Sequence, residues 1–135
     1  MTLDLALIAD AATVDGSGKL NILGVFDHIA VAEFPARHER MCFVMRFRAE
    51  PAEAGDHEIE VLIRDPKGDE MARMSGSIDL GAVMGRESVH IPQLLHLDGF
   101  VFPSAGTYVV QVEIDGVLDR EVDLEVSRAT RIPQA

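Results

Sequence analysis

Apolar and polar residues alternate along most of this chain, and helical periodicity is weak. A side-chain period of two marks strands that bury one face. Met41 to Ala49 shows it plainly: Met41, Phe43, Met45 and Phe47 face one way, and Cys42, Val44, Arg46 and Arg48 the other. His57 to Arg64 turns Ile59, Val61 and Ile63 inward. Thr107 to Ile114 does the same with Tyr108, Val110, Val112 and Ile114. Val117 to Val126 follows, with Leu118, Val122, Leu124 and Val126 inward and Arg120 interrupting that face.

Turn signals separate these runs. Leu3 to Val14 is the first strand, and Lys19 to Val31 returns as the second after Asp15-Gly16-Ser17-Gly18. Glycine supplies the positive φ such turns need. Glu33 to Arg40 is polar, contains Pro35, and leaves the sheet. Asp65-Pro66-Lys67-Gly68-Asp69 is a turn because proline pre-sets φ and glycine follows. Glu70 to Leu80 is a fifth strand and Gly81 to Ser88 a loop; Val89 to Phe102 holds a sixth strand broken at Pro92 or Gly99. Asp115-Gly116 is a strong hairpin signal.

The pattern predicts an all-β fold: a single antiparallel β-sandwich, immunoglobulin-like or jelly-roll-like, of roughly seven to nine strands. Gly106-Thr107-Tyr108 entering a late strand resembles the tyrosine corner of immunoglobulin-like sandwiches, without the Asp and Cys that accompany it in true immunoglobulin domains. Residues 1–127 form the domain and 128–135 a loose tail.

The second strand departs from alternation. In Leu20 to Val31 both faces are apolar around Ile22 to Phe26. One account is a bulge at Gly24 that shifts the register and returns the apolar set to the core. The other is a second face covered by a loop or by another subunit. Leu5, Leu7 and Ile8 share this two-sided character. Ile22, Leu23, Val25 and Phe26 are therefore the candidate interface residues.

Composition narrows the function classes. The 135 residues suit one domain, and 47% apolar with 26% charged residues is globular. A net charge of −11 opposes binding to nucleic acid and to anionic membranes. Cys42 is the only cysteine, which excludes an internal disulfide. The apolar N-terminus lacks a basic n-region and carries Asp4 and Asp10, so it reads as a strand rather than a signal peptide or a membrane span. These features set the expectation of a cytoplasmic protein.

No catalytic, cofactor-binding or metal-binding residues emerge. Gly16-Ser17-Gly18-Lys19-Leu20 fails as a phosphate loop, because Leu20 replaces the magnesium-holding hydroxyl and no helix follows. His28, His38, His57, His90 and His96 lack metal-site spacing. His96 and Asp98 share a strand face, which permits an oriented imidazole, but a surface or rim histidine is the simpler account, since histidine is usually only partly buried. Asp119, Glu121, Asp123 and Glu125 form an outward acidic stripe with carboxylates about 6.8 Å apart. That spacing suits acid–base work or calcium, but alternation on a solvated face produces the same stripe. Arg46, Arg48 and Arg64 are its candidate ion-pair partners.

The run from Ile8 to Ile29, with its Ala9-Asp10 opening, Gly18-Lys19-Leu20-Asn21 and Gly24-Val25-Phe26, resembles a small family of uncharacterised bacterial β-sandwich proteins. The ending from Phe102 to Val126 is similar too. The family has no assigned activity, so the resemblance implies the sandwich and a bacterial cytoplasmic setting and no catalytic residues. The expectation is a non-enzymatic protein-interaction or assembly module that self-associates. The alternative is a small-molecule or carbohydrate binder using loops 32–40, 50–56 and 81–92, with Phe34 and Phe100 as platforms.

Overall fold

The computed structural model describes residues 1–81 and 85–129. The strands are β1 (Thr2–Val14), β2 (Leu20–Val25), β3 (His28–Val31), β4 (Ala36–His38), β5 (Cys42–Ala49), β6 (Asp56–Arg64), β7 (Glu70–Asp79), β8 (Val89–His96), β9 (Phe100–Phe102), β10 (Gly106–Ile114) and β11 (Val117–Arg128). The protein is all-β, as the alternation predicts. Among the described residues the helical structure is one 3-10 turn at Pro51–Glu53, and no helix is long and apolar enough to cross a membrane.

One sheet has the order β2-β1-β5-β8 and a second the order β3-β11-β10-β6-β7, while β4 and β9 pair as a separate ribbon. The β3–β11 ladder is parallel and the others are antiparallel. Both large sheets feed one buried cluster. Ile8, Phe43, Met45 and Phe47 come from the first, and Ile59, Val61, Ile63, Tyr108, Val110, Val112, Ile114, Leu124 and Val126 from the second. The alternation in β5, β6 and β10 thus places its apolar set where it was expected.

The turns form for local reasons. Asp15 Oδ1 accepts the backbone N–H of Ser17 at 2.8 Å and of Lys19 at 3.0 Å. Asp65 Oδ1 does the same for Lys67 and Asp69, both at 2.9 Å. These are side-chain mimics of a backbone turn. Asp115 and Gly116 have φ of 52° and 81°, the paired left-handed geometry of a tight hairpin. At the entry to β10, the Tyr108 hydroxyl donates to the Ser104 carbonyl at 2.7 Å. The corner suggested by Gly-Thr-Tyr is therefore closed by a real hydrogen bond, with the Tyr108 ring buried.

Several boundaries differ from the pattern-based reading. Among the described residues eleven strands stand where roughly seven to nine were expected. The run Lys19 to Val31 is two strands: β2 stays beside β1, and β3 crosses to pair with β11. The Glu33 to Arg40 stretch contributes β4, which pairs with β9. Of the two expected breaks in Val89 to Phe102, the one near Gly99 is present, while β8 runs through Pro92. Proline is tolerated there because β8 is a sheet edge, where a missing donor breaks no ladder. Leu118 is half exposed rather than inward, because the register shifts between Val112 and Glu113 and leaves Asp119 as an extra residue. β11 continues through Arg128, and the Ala129 N–H donates to Val31 O at 2.8 Å. The expected tail from 130 onward, and positions 82–84 of the expected loop, lie outside the described residues.

Candidate functional site

β1 pairs with β2 on one side and β5 on the other, and its register determines what its second face carries. Opposite Arg46, Val44 and Cys42 of β5 lie Leu5, Leu7 and Ala9 of β1. Opposite Ala9 and Ala11 lie Val25 and Leu23 of β2. Across β5, Val44 faces Leu94 of β8 and Cys42 faces His96. These residues share the face directed away from the main core, since their neighbours Ile8, Phe43 and Phe47 point into it. The outer face of a four-stranded sheet is thus apolar from β8 to β2.

A second hydrophobic cluster organises this face. Ala9, Ala12, Cys42 and Val44 are buried, and Leu5, Leu7, Leu20, Ile22 and Leu94 pack against them half-buried. The small residues in the middle are closed off by the larger apolar side chains around them, Ile22 and Leu20 of the hairpin included. Beyond β5 the hairpin continues alone, because β5 pairs with β1 only as far as Ala9 while β2 pairs with it to Val14. On this hairpin arm and at its base, Ala12, Leu20 and Ile22 pack in the second cluster, whereas Leu23, which alternates with Ile22, is 71% exposed and Val25 62%.

Charge borders the patch. Arg46 Nε donates to Asp4 Oδ1 at 2.9 Å, and His90 Nε2 lies 3.3 Å from Asp4 Oδ2. The Arg46 guanidinium holds the Asp4 carboxyl below the usual aspartate value. Arg48 pairs with Glu50 at 3.0 Å. Arg46 and Arg48 are therefore engaged locally rather than with the acidic stripe. Cys42 lies within the patch, and burial raises its thiol pKa, with Asp98 adding to the effect.

The four candidate interface residues divide. Leu23 and Val25 are exposed on the outer face of the arm. Ile22 packs in the second cluster, and Phe26 packs against the main core and lies 5.5 Å from the His38 ring. The Gly24 bulge is not what makes β2 two-sided. Gly24 has φ of 71°, yet Val25↔Ala9 and Leu23↔Ala11 keep one register across it. Without a shift, the outward apolar residues stay outward.

The other candidates are dispersed. The acidic stripe is spread over separate tasks: Asp119 Oδ2 accepts the Leu3 N–H at 2.8 Å, Glu121 accepts from Gln111 at 2.7 Å, and Glu125 accepts from Thr107 at 2.5 Å. Asp98 Oδ1 accepts the Met41 N–H at 3.0 Å, which holds the start of β5. His96 sits opposite Cys42 on the outer face. Arg64 donates to Gln111 and to the Gly68 carbonyl. Phe34 and Phe100 pack against the main core, so neither stands free as a platform. Among the described residues no group of three or more His, Cys, Asp or Glu is placed to hold a metal ion. The alternation missed the outer-face contribution of Leu94 and Val44, because only the sheet order reveals that they adjoin Leu7 and Ala9.

A family model described as a family of unknown function (DUF6941) matches residues 4–127. No curated protein matches the sequence.

Proposed function

Because the chain belongs to the family of unknown function DUF6941, its reading has to come from its own surface, and we propose that it is a non-enzymatic interaction module that self-associates through the outer face of the β2-β1-β5-β8 sheet. The observation that carries the proposal is the exposure of Leu23 and Val25 on the edge strand β2, next to the cluster of Ala9, Ala12, Cys42 and Val44. Covering these two side chains contributes about 1.5–3 kcal/mol each. An apolar centre with Asp4, Arg46 and His90 at its margin matches the layout of protein interfaces.

The footprint sets the strength. Four strands span about 19 Å and the apolar stretch of β1 about 20 Å, a plan area near ~400 Å². Two such faces would cover about 800 Å² in total, below the size of a standard specific interface, so the association expected is weak and transient. The fold we infer is a single immunoglobulin-like sandwich. Supporting it are the shared core, the parallel β3–β11 pair beside β10 and β6, and the Tyr108 corner.

Size-exclusion chromatography with light scattering on untagged protein tests the proposal. A mass rising above the monomer across the micromolar range is expected. A monomer throughout, or a monomer retaining a small molecule, would overturn it, and the latter would favour a loop-end binder.

A further inference from the structure

The edge of the second sheet carries another feature. β7 ends its sheet and, among the described residues, pairs only with β6. Exposed edge strands are ordinarily guarded by a charge, a proline, a bulge or short length. β8 carries Pro92, and β3 is four residues long. In β7 the stretch Met74-Ser75-Gly76-Ser77-Ile78 has no charge and no proline, and its register with β6 is unbroken. Ser75, Gly76 and Ser77 are exposed, and a methyl group added at Gly76 would meet nothing within 4 Å. β2 is also uncharged, but it belongs to the surface already described.

The sequence of this edge is complementary to itself. An antiparallel pair of β7 strands centred on Gly76 sets Ser75 opposite the partner's Ser77 and Met74 opposite the partner's Ile78. The same register sets Arg73 opposite the partner's Asp79. Arg73 and Asp79 lie on the outer face, since they alternate with the half-buried Met74 and Ile78 that pack on the core. The pairing therefore joins opposite charges outside and apolar side chains inside, and the two-fold repeats both contacts. A cavity of about 150 Å³ opens beside this edge, lined by Met45, Phe47, Val61, Met74, Ile78 and Leu95. The partner's Met74 and Ile78 would lie along its mouth.

We propose that a second copy of this chain occupies the β7 edge, in antiparallel register about Gly76, and continues the five-stranded sheet into a ten-stranded one. The inference does not rest on the sheet-face reading. Each interface is isologous, and a chain bearing both would assemble in rows rather than stop at a dimer.

The test uses a Leu23→Asp/Val25→Asp background, which removes the apolar arm. In that background, mild oxidation of a Ser75→Cys/Ser77→Cys variant is expected to give a dimer. Peptide mapping should place its bonds between position 75 of one copy and position 77 of the other. Arg73→Asp sets like charges opposite each other and should cut the linked fraction roughly tenfold. Arg73→Asp/Asp79→Arg should restore it, which loss of the contacts from Arg73 to Glu60 and Glu70 within one chain would not allow. Circular dichroism confirms that each variant is folded. No 75–77 link in folded protein, links in another register, or no rescue by the charge exchange would overturn the proposal.

Discussion

Val25 lies directly opposite Ala9 in the β1–β2 ladder, yet Ala9 is fully buried and Val25 is 62% exposed. The pair marks where the outer face changes character. Ala9 is roofed by the leucines of its own sheet, whereas Val25 stands on an arm with no strand beyond it. An apolar residue left open one position from a closed apolar cluster is what an interaction surface requires.

Gly24 is where the arm holds its shape. Its φ of 71° suits glycine, and an added Cβ would approach Asp10 Oδ2 to 2.3 Å. Gly24→Ala should lower stability by about 1–2 kcal/mol. Adding Asp10→Ala removes the clash but not the strain, so the double variant should recover only part of the loss. Urea midpoints of the three proteins measure this, and full recovery would show that only the clash mattered.

The Tyr108 corner gives a second number. Tyr108→Phe removes the hydroxyl that bonds Ser104 but leaves the ring, which packs edge-on against Phe102 with centroids 4.9 Å apart. A loss of about 0.5–1.5 kcal/mol is expected, with the same urea slope as wild type.

Acid sensitivity follows from Asp115. Its carboxylate accepts the Glu58 N–H at 2.9 Å and contacts His57 Nδ1 at 2.6 Å, and both hold its pKa below the usual value. A lowered folded-state pKa stabilises the protein above the unfolded-state value of about 3.9 and ceases to do so as pH falls through the folded-state value. Asp4, Asp15 and Glu70 shift the same way. Asp115→Asn should therefore destabilise the protein at neutral pH and show a smaller further loss below pH ~4 than wild type. Parallel loss curves for the two proteins would contradict this.

Cys42 is 1% exposed, and burial raises its pKa. Aqueous thiol reagents should label it only as fast as the protein opens, and at the free-thiol rate in denaturant. Fast labelling of the native protein would show that the outer face is open around β5.

Much of this was legible in the sequence, because it is local. The Asp-Gly hairpin, the Asp65 turn and the alternation of β5, β6 and β10 depend on neighbours a few residues apart. So does the doubly apolar run around Ile22 to Val25, which is visible without any structure. What local pattern does not carry is which sheet a strand joins. The β2-to-β3 crossing happens within Phe26-Asp27, and nothing in that dipeptide distinguishes a crossing from a bulge. The inward assignment of Leu118 failed for a related reason, since one extra residue at Asp119 reverses every side chain before it. The outer-face patch needed both pieces, a two-sided strand from sequence and the neighbours Val44 and Leu94 from topology.

The most direct measurement is sedimentation equilibrium of wild type beside Leu23→Asp/Val25→Asp across the micromolar range. Both positions are exposed on the arm, so the variant should fold with an unchanged circular dichroism spectrum. A wild-type mass that rises with concentration, and a clearly lower mass for the variant at every concentration, is the predicted result. Identical mass curves for the two proteins would contradict association through this face.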